Sequence, residues 1–326
     1  MQNKRNLNIE ALRVYMMLLI VILHISGSYL DADIVRQSSG CEMGWLLGYR
    51  SLTFLGVSTF AFISGFYGVK FHIDKFLTLE FMALTYGLLV LFALFFSKEI
   101  HLYTVRSLLF PIASNHLWYF SGYMILMCMS PLLNEGIKNL SKESFKSTLC
   151  VLMIVIYGAR FICGGANADF FNLLLVYLIG RFLKQYPSAF LISNRYMIFW
   201  SCIVVNFLIS FSLGYYGLGK VNRLFEGNNN PVTALGAISL FYIFKMFPKT
   251  LCINKIVSIL APNMLAVYVL HELARTEGLI DFSILQGNLL LIFPIACATI
   301  LILALFDKFR TFLFRPLINK INIFKL

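Results

Sequence analysis

The chain has 326 residues, 59% of them hydrophobic and only 13% charged, with a mean hydropathy of +0.79. A soluble domain carries about 25% charged residues, so the composition excludes an ordinary water-soluble enzyme and predicts an all-α, polytopic membrane bundle. The net charge of +12 is read as basic loops that orient helices, not as a nucleic-acid surface.

About ten apolar segments are long enough to span a bilayer. They run over about 11–30, 46–69, 76–97, 116–134, 147–164, 169–185, 196–214, 231–247, 257–273 and 287–307. Polar loops separate them, and no repeat, long low-complexity tract or soluble domain breaks the series. A single integral-membrane domain over 1–326 is therefore expected. The first segment is too long, and too polar at its start, to read as a cleaved signal peptide. With the N-terminus placed in the cytoplasm, 19 of the 27 basic residues fall on that side and 8 on the other. That bias predicts both termini inside.

Glu10 to Ser28, EALRVYMMLLIVILHISGS, is the chemically unusual stretch. Arg13 and His24 are eleven positions apart, close to three full helical turns, so one face carries both, about 16 Å apart along the axis. A charged group near the bilayer centre costs roughly 2.5–3.5 kcal/mol, and such groups in a spanning helix face a partner or a cavity. His24 reads either as a packed core residue or, in its neutral form, as a proton acceptor. Arg13 reads either as a topology anchor, paired one turn back with Glu10, or as a clamp for a phosphate.

Phe62-Ile63-Ser64-Gly65-Phe66 lies deep in the second segment, where Ser-Gly signals close helix packing and nothing supports a catalytic serine. The lysines Lys70 and Lys75 follow it. Pro111 precedes the fourth segment and Pro131 is expected to close it. That segment opens with Asn115-His116-Leu117-Trp118-Tyr119-Phe120, either an interfacial aromatic belt or the wall of a site. Loop 214–231 is rich in Gly, Asn and Tyr and should face outward, as a solvated connector or a sugar contact. Pro262 sits near the start of the ninth segment, which ends on Tyr268-Val269-Leu270-His271-Glu272. Pro294 should kink the tenth. His24, His116 and His271 are expected at similar outer-leaflet height, yet they lack metal-type local spacing, so no metal is assigned. The seven cysteines include no CxxC pair. Most of them (Cys128, Cys150, Cys163, Cys202, Cys297) fall in apolar segments and read as small buried hydrophobes.

NIEALRVYMMLLIVILH resembles the first helix of the acyltransferase-3 family of membrane acyltransferases: a basic residue, ten intervening residues and a histidine. FAFISGF resembles that family's second-helix signature, HLWYF followed by SPLLN its fourth-helix pattern, and VYVLHE its late-helix pattern. The four occur in order over nearly the whole chain. The chain is most similar to compact members associated with surface-polysaccharide genes in bacteria.

The resemblance implies an acyl-CoA donor, typically acetyl-CoA, reached from the cytoplasm. It implies an acceptor hydroxyl on an extracytoplasmic or lipid-linked sugar, and a multi-pass protein of the bacterial plasma membrane. Arg13 and His24 match the family's key pair, and Glu10 an acidic position that is usually Asp. Where many members carry paired arginines after the second helix, this chain offers Lys70 and Lys75 for the CoA phosphates. His116, Trp118, Tyr119, His271 and Glu272 are expected on the acceptor side. Two rival readings stand beside this one: a proton-coupled transporter, which would also use membrane His, Arg and Glu, and a non-catalytic scaffold.

Overall fold

A computed structural model describes residues 6–30, 40–96, 101–158, 169–218, 227–228, 230–248, 254–280 and 289–316. Cys163, half of the expected outward loop and several topology-setting basic residues (Lys4, Arg5, Arg36, Lys98, Arg160, Lys220, Arg223, Lys249, Lys320, Lys325) lie outside them. Among the described residues every regular element is helical. In chain order these are α1 (Leu7–Leu30), α2 (Cys41–Ser51), α3 (Leu55–Tyr67), α4 (Ile73–Phe95), α5 (Leu102–Leu109), α6 (Trp118–Lys138), α7 (Lys142–Met153), α8 (Asp169–Gln185), α9 (Ala189–Ser193), α10 (Arg195–Tyr215), α11 (Pro231–Lys245), α12 (Asn254–Leu260), α13 (Met264–Thr276) and α14 (Leu289–Leu313).

Among the described residues six stretches are long and apolar enough to cross a membrane: Leu7–Gly27, Met43–Tyr67, Ile73–Phe95, Arg195–Tyr215, Lys255–Thr276 and Leu290–Leu313. The other expected spans correspond to α6, α7, α8 and α11, helices that are shorter or more polar.

Some local details differ from the sequence reading. The second apolar segment breaks at a short 3-10 turn, Leu52–Phe54, and the ninth at another, Ala261–Asn263, which contains Pro262. A π-helical turn, Ile154–Gly158, follows α7. Pro131 does not close its helix, because α6 runs through it to Lys138. Proline offers no N–H to the carbonyl four residues back, and here the Ser130 hydroxyl donates to that Met127 carbonyl at 2.8 Å. Of the described cysteines read as buried, only Cys202 is; Cys128, Cys150 and Cys297 are exposed on their helices. A membrane protein puts apolar side chains there as readily as in its core.

The chain folds into two compact units. The first comprises residues 1–68 and 137–258 and is built on glycine seams. A Cβ on Gly65 of α3 would run into the Tyr177 carbonyl of α8, and one on Gly180 would stand 2.7 Å from the Phe62 carbonyl. Only glycine lets the two backbones touch, which strengthens the dispersion packing that replaces the hydrophobic effect in lipid. Trp45 of α2 meets Phe207 and Phe211 of α10 edge-on. Two buried asparagines, Asn206 and Asn172, are answered within the unit. Asn206 donates to Thr233 and accepts from Asn230, while Asn172 accepts from Tyr157 and donates to the Asn228 carbonyl.

The second unit comprises residues 69–136 and 259–326. Here α13 packs on α4 and α14, and α5 packs on α4. Deep between α4 and α14, Tyr86 donates to Asp307 at 2.6 Å and the Arg310 Nε donates to the same oxygen at 2.8 Å.

Candidate active site

The first helix delivers what its spacing predicts: α1 is unbroken from Leu7 to Leu30 and carries Glu10, Arg13 and His24. Glu10 is buried and forms an ion pair with Arg13, whose side chain remains one-third exposed. An i,i+3 pair of opposite sign in the first turns is a local interaction, which is why sequence alone finds it. Tyr67, at the end of α3, lies within electrostatic reach of both Glu10 and Arg13. The start of α1 is tied to the end of α11: the Asn8 amide donates to the Phe247 carbonyl at 2.7 Å, and Tyr15 stacks on Phe244.

His24 is half-buried, at the other end of α1 from Arg13. Arg50 of α2 reaches the same end. Its guanidinium lies against Gly27, three residues past His24, where a Cβ would be 3.7 Å from the Arg50 Nη2. Its guanidinium carbon is also 5.7 Å from the centre of the Phe54 ring. In the charge count Arg50 is one of the eight basic residues on the outer side, with no further role. The signal was present: an arginine within the apolar Met43–Tyr67 span needs a protein partner, and a small residue on a neighbouring helix gives it room.

The second unit holds the other expected site residues. Trp118 and Tyr119 meet edge-on at the start of α6, and Tyr119 meets Tyr268 of α13 at 5.6 Å between ring centres. Tyr268 in turn contacts His271. His271 is 2% exposed, with its Nδ1 2.7 Å from the Val267 carbonyl. A carbonyl accepts only, so in the neutral ring the hydrogen sits on Nδ1. Glu272 is buried and is gripped by Arg275 through two hydrogen bonds, at 2.9 and 2.7 Å. His116 does not group with His271. Its Nε2 lies 3.1 Å from Glu277 and 3.2 Å from the Thr276 hydroxyl, roughly 7 Å further along α13 from His271 at the helical rise. Lys70 is exposed. Lys75 donates to the Tyr123 hydroxyl at 3.2 Å and lies over that ring.

The profile of the family described as Acyltransferase domain, acyltransferase-3, matches residues 6–307. The chain belongs to this family. It is a membrane acyltransferase, with the matched region running from the first turn of α1 into α14. No curated protein and no solved structure matches the chain.

Proposed function

We propose that this acyltransferase moves an acetyl group from acetyl-CoA to a hydroxyl of a cell-surface or lipid-linked sugar. In this reading it sits in the bacterial plasma membrane with the Arg13 end of α1 toward the cytoplasm. The observation that carries the reading is a single uninterrupted helix bearing an ion-paired Arg13, one-third exposed, and a half-buried His24 eleven residues later, in a chain of this family. The excess of basic residues supports the orientation.

A thioester is electrophilic enough to acylate an alcohol once the alcohol's proton is taken. Neutral His24 takes that proton as the sugar oxygen attacks the thioester carbonyl carbon. The carbon–sulfur bond then breaks, and the departing CoA sulfur takes the proton back from the imidazolium, leaving an ester and a free thiol. Arg13, aligned by Glu10, holds a donor phosphate through its planar fork. The pantetheine arm covers the rise of about 16 Å between Arg13 and His24. Arg50, against Gly27, supplies positive charge at the His24 end, where the carbonyl oxygen gains negative charge. Trp118, Tyr119, His116 and His271 of the second unit are assigned to the acceptor, and Glu272 holds Arg275 in place.

Purified protein in proteoliposomes tests the reading. It should transfer radiolabel from acetyl-CoA to a glycan acceptor. Accumulation of a solute against a proton gradient without any acyl transfer would contradict it.

A further inference from the structure

Three cations gather around the C-terminal end of α3. Lys184 of α8 holds its Nζ 4.9 Å from the centre of the Phe66 ring, and Lys245 of α11 holds its Nζ 4.3 Å from the same centre. The two ammonium groups are close enough to interact electrostatically, and like charges at that range repel. Arg181, one turn before Lys184, reaches over Gly68. Its Nη1 lies 2.7 Å from where a Cβ would stand, and Gly68 has a φ of +79°. Any other residue at 68 would be strained and would displace the guanidinium. The Arg181 Nε is buried and makes no hydrogen bond.

Among the described residues no carboxylate pairs with Arg181, Lys184 or Lys245. Glu10, within electrostatic reach of Tyr67 at this end, is committed to Arg13. The face of Phe66 offsets part of the cost of gathering two ammonium groups, but it does nothing for the idle Nε of Arg181. An anion with several ionised oxygens would satisfy all three. Two point charges and one planar fork fit a phosphate ester, which accepts from several donors at once. Access is open, since Lys184 is exposed and Lys245 half-buried. Lys75, the sequence-based candidate for this task, already donates to Tyr123.

We propose that Arg181, Lys184 and Lys245 form a phosphate-ester site at the end of α3, and that its occupant is the phosphorylated end of the acyl-CoA donor. The assignment rests on the donor reading above. An anionic lipid headgroup shares the chemistry and is separated from the donor by experiment.

The full-length protein, in nanodiscs of phosphatidylcholine alone, is titrated with CoA by calorimetry. The variant carrying Lys184→Gln and Lys245→Gln should bind CoA at least tenfold more weakly than wild type, because each lost charge-assisted contact is worth about tenfold. The variant carrying Lys184→Arg and Lys245→Arg should stay near wild type. Thermal unfolding of each variant checks that the fold is intact. Wild-type CoA affinity in the glutamine variant overturns the site. So does a result in which the lysines alter only the thermal stabilisation gained in nanodiscs containing phosphatidylglycerol, which would assign the cluster to lipid. In either case acyl transfer by the same variant shows that the enzymatic reading stands. Failure of the wild-type protein itself to bind CoA would overturn both.

Discussion

Asp307 and Arg310 on α14 sit beside Tyr86 on α4, and every member of that group has its partner: the carboxylate accepts hydrogen bonds from the tyrosine hydroxyl and from two guanidinium nitrogens. Arg181, Lys184 and Lys245 share the end of α3 and are all of one sign, with a ring between them and an idle nitrogen. Both groups lie in or at the ends of apolar helices, where charge is expensive. The first is closed and the second open. A closed group holds helices together and leaves nothing for a ligand. An open one marks where something outside the chain completes the balance.

The contrast breaks most visibly in stability. Asp307→Ala leaves Arg310 buried without its counter-charge and should cost about 3–5 kcal/mol, read as a large drop in the thermal unfolding temperature in detergent. Asp307→Leu together with Arg310→Met should recover most of that loss. Removing Lys184 and Lys245 should leave unfolding within about 0.5 kcal/mol of wild type, since no partner is orphaned. A comparable loss at both groups would erase the distinction.

Gly65→Ala sharpens the frame on which the open group stands. The added methyl meets backbone on α8, which does not move aside like a flexible side chain. A loss of about 1–3 kcal/mol is expected, and weaker CoA binding should accompany it because Phe66 and Lys184 shift with the seam. The narrowest effect, confined to donor binding, is at Arg13. Arg13→Lys keeps the charge and the pairing with Glu10 but loses the fork. The Michaelis constant for acetyl-CoA should rise about tenfold, about 1.4 kcal/mol, with little change in turnover. Unchanged kinetics at low acetyl-CoA would reduce Arg13 to a topology anchor.

What the sequence revealed follows the range of each interaction. The Glu10–Arg13 pair is local, and the shared face of Arg13 and His24 is simple helical arithmetic, so both were legible. The four family signatures were legible as short strings. The open cluster was not, because Phe66, Lys184 and Lys245 come from three helices far apart in the chain, and each lysine alone looks like a loop charge. Asp307 and Tyr86 are 221 positions apart. Arg50 stood in view within an apolar run, but its place against Gly27 depends on how α2 meets α1. Hydropathy also passed over the turns at Leu52–Phe54 and Ala261–Asn263, since a tightened helix stays as apolar as its neighbours. Pro131 misled for a related reason: the hydroxyl that takes up the orphaned Met127 carbonyl belongs to Ser130, an unremarkable neighbour in sequence.

The most direct test is His24→Gln, which keeps a polar side chain of similar reach and removes the basic nitrogen. Acetyl transfer to glycan, CoA affinity and thermal unfolding are measured on the same preparation. Transfer should fall by about 10²–10⁴, while CoA affinity and unfolding temperature stay at wild-type values. Transfer near the wild-type rate would contradict the assignment of His24 as the base and leave it a packing residue of α1.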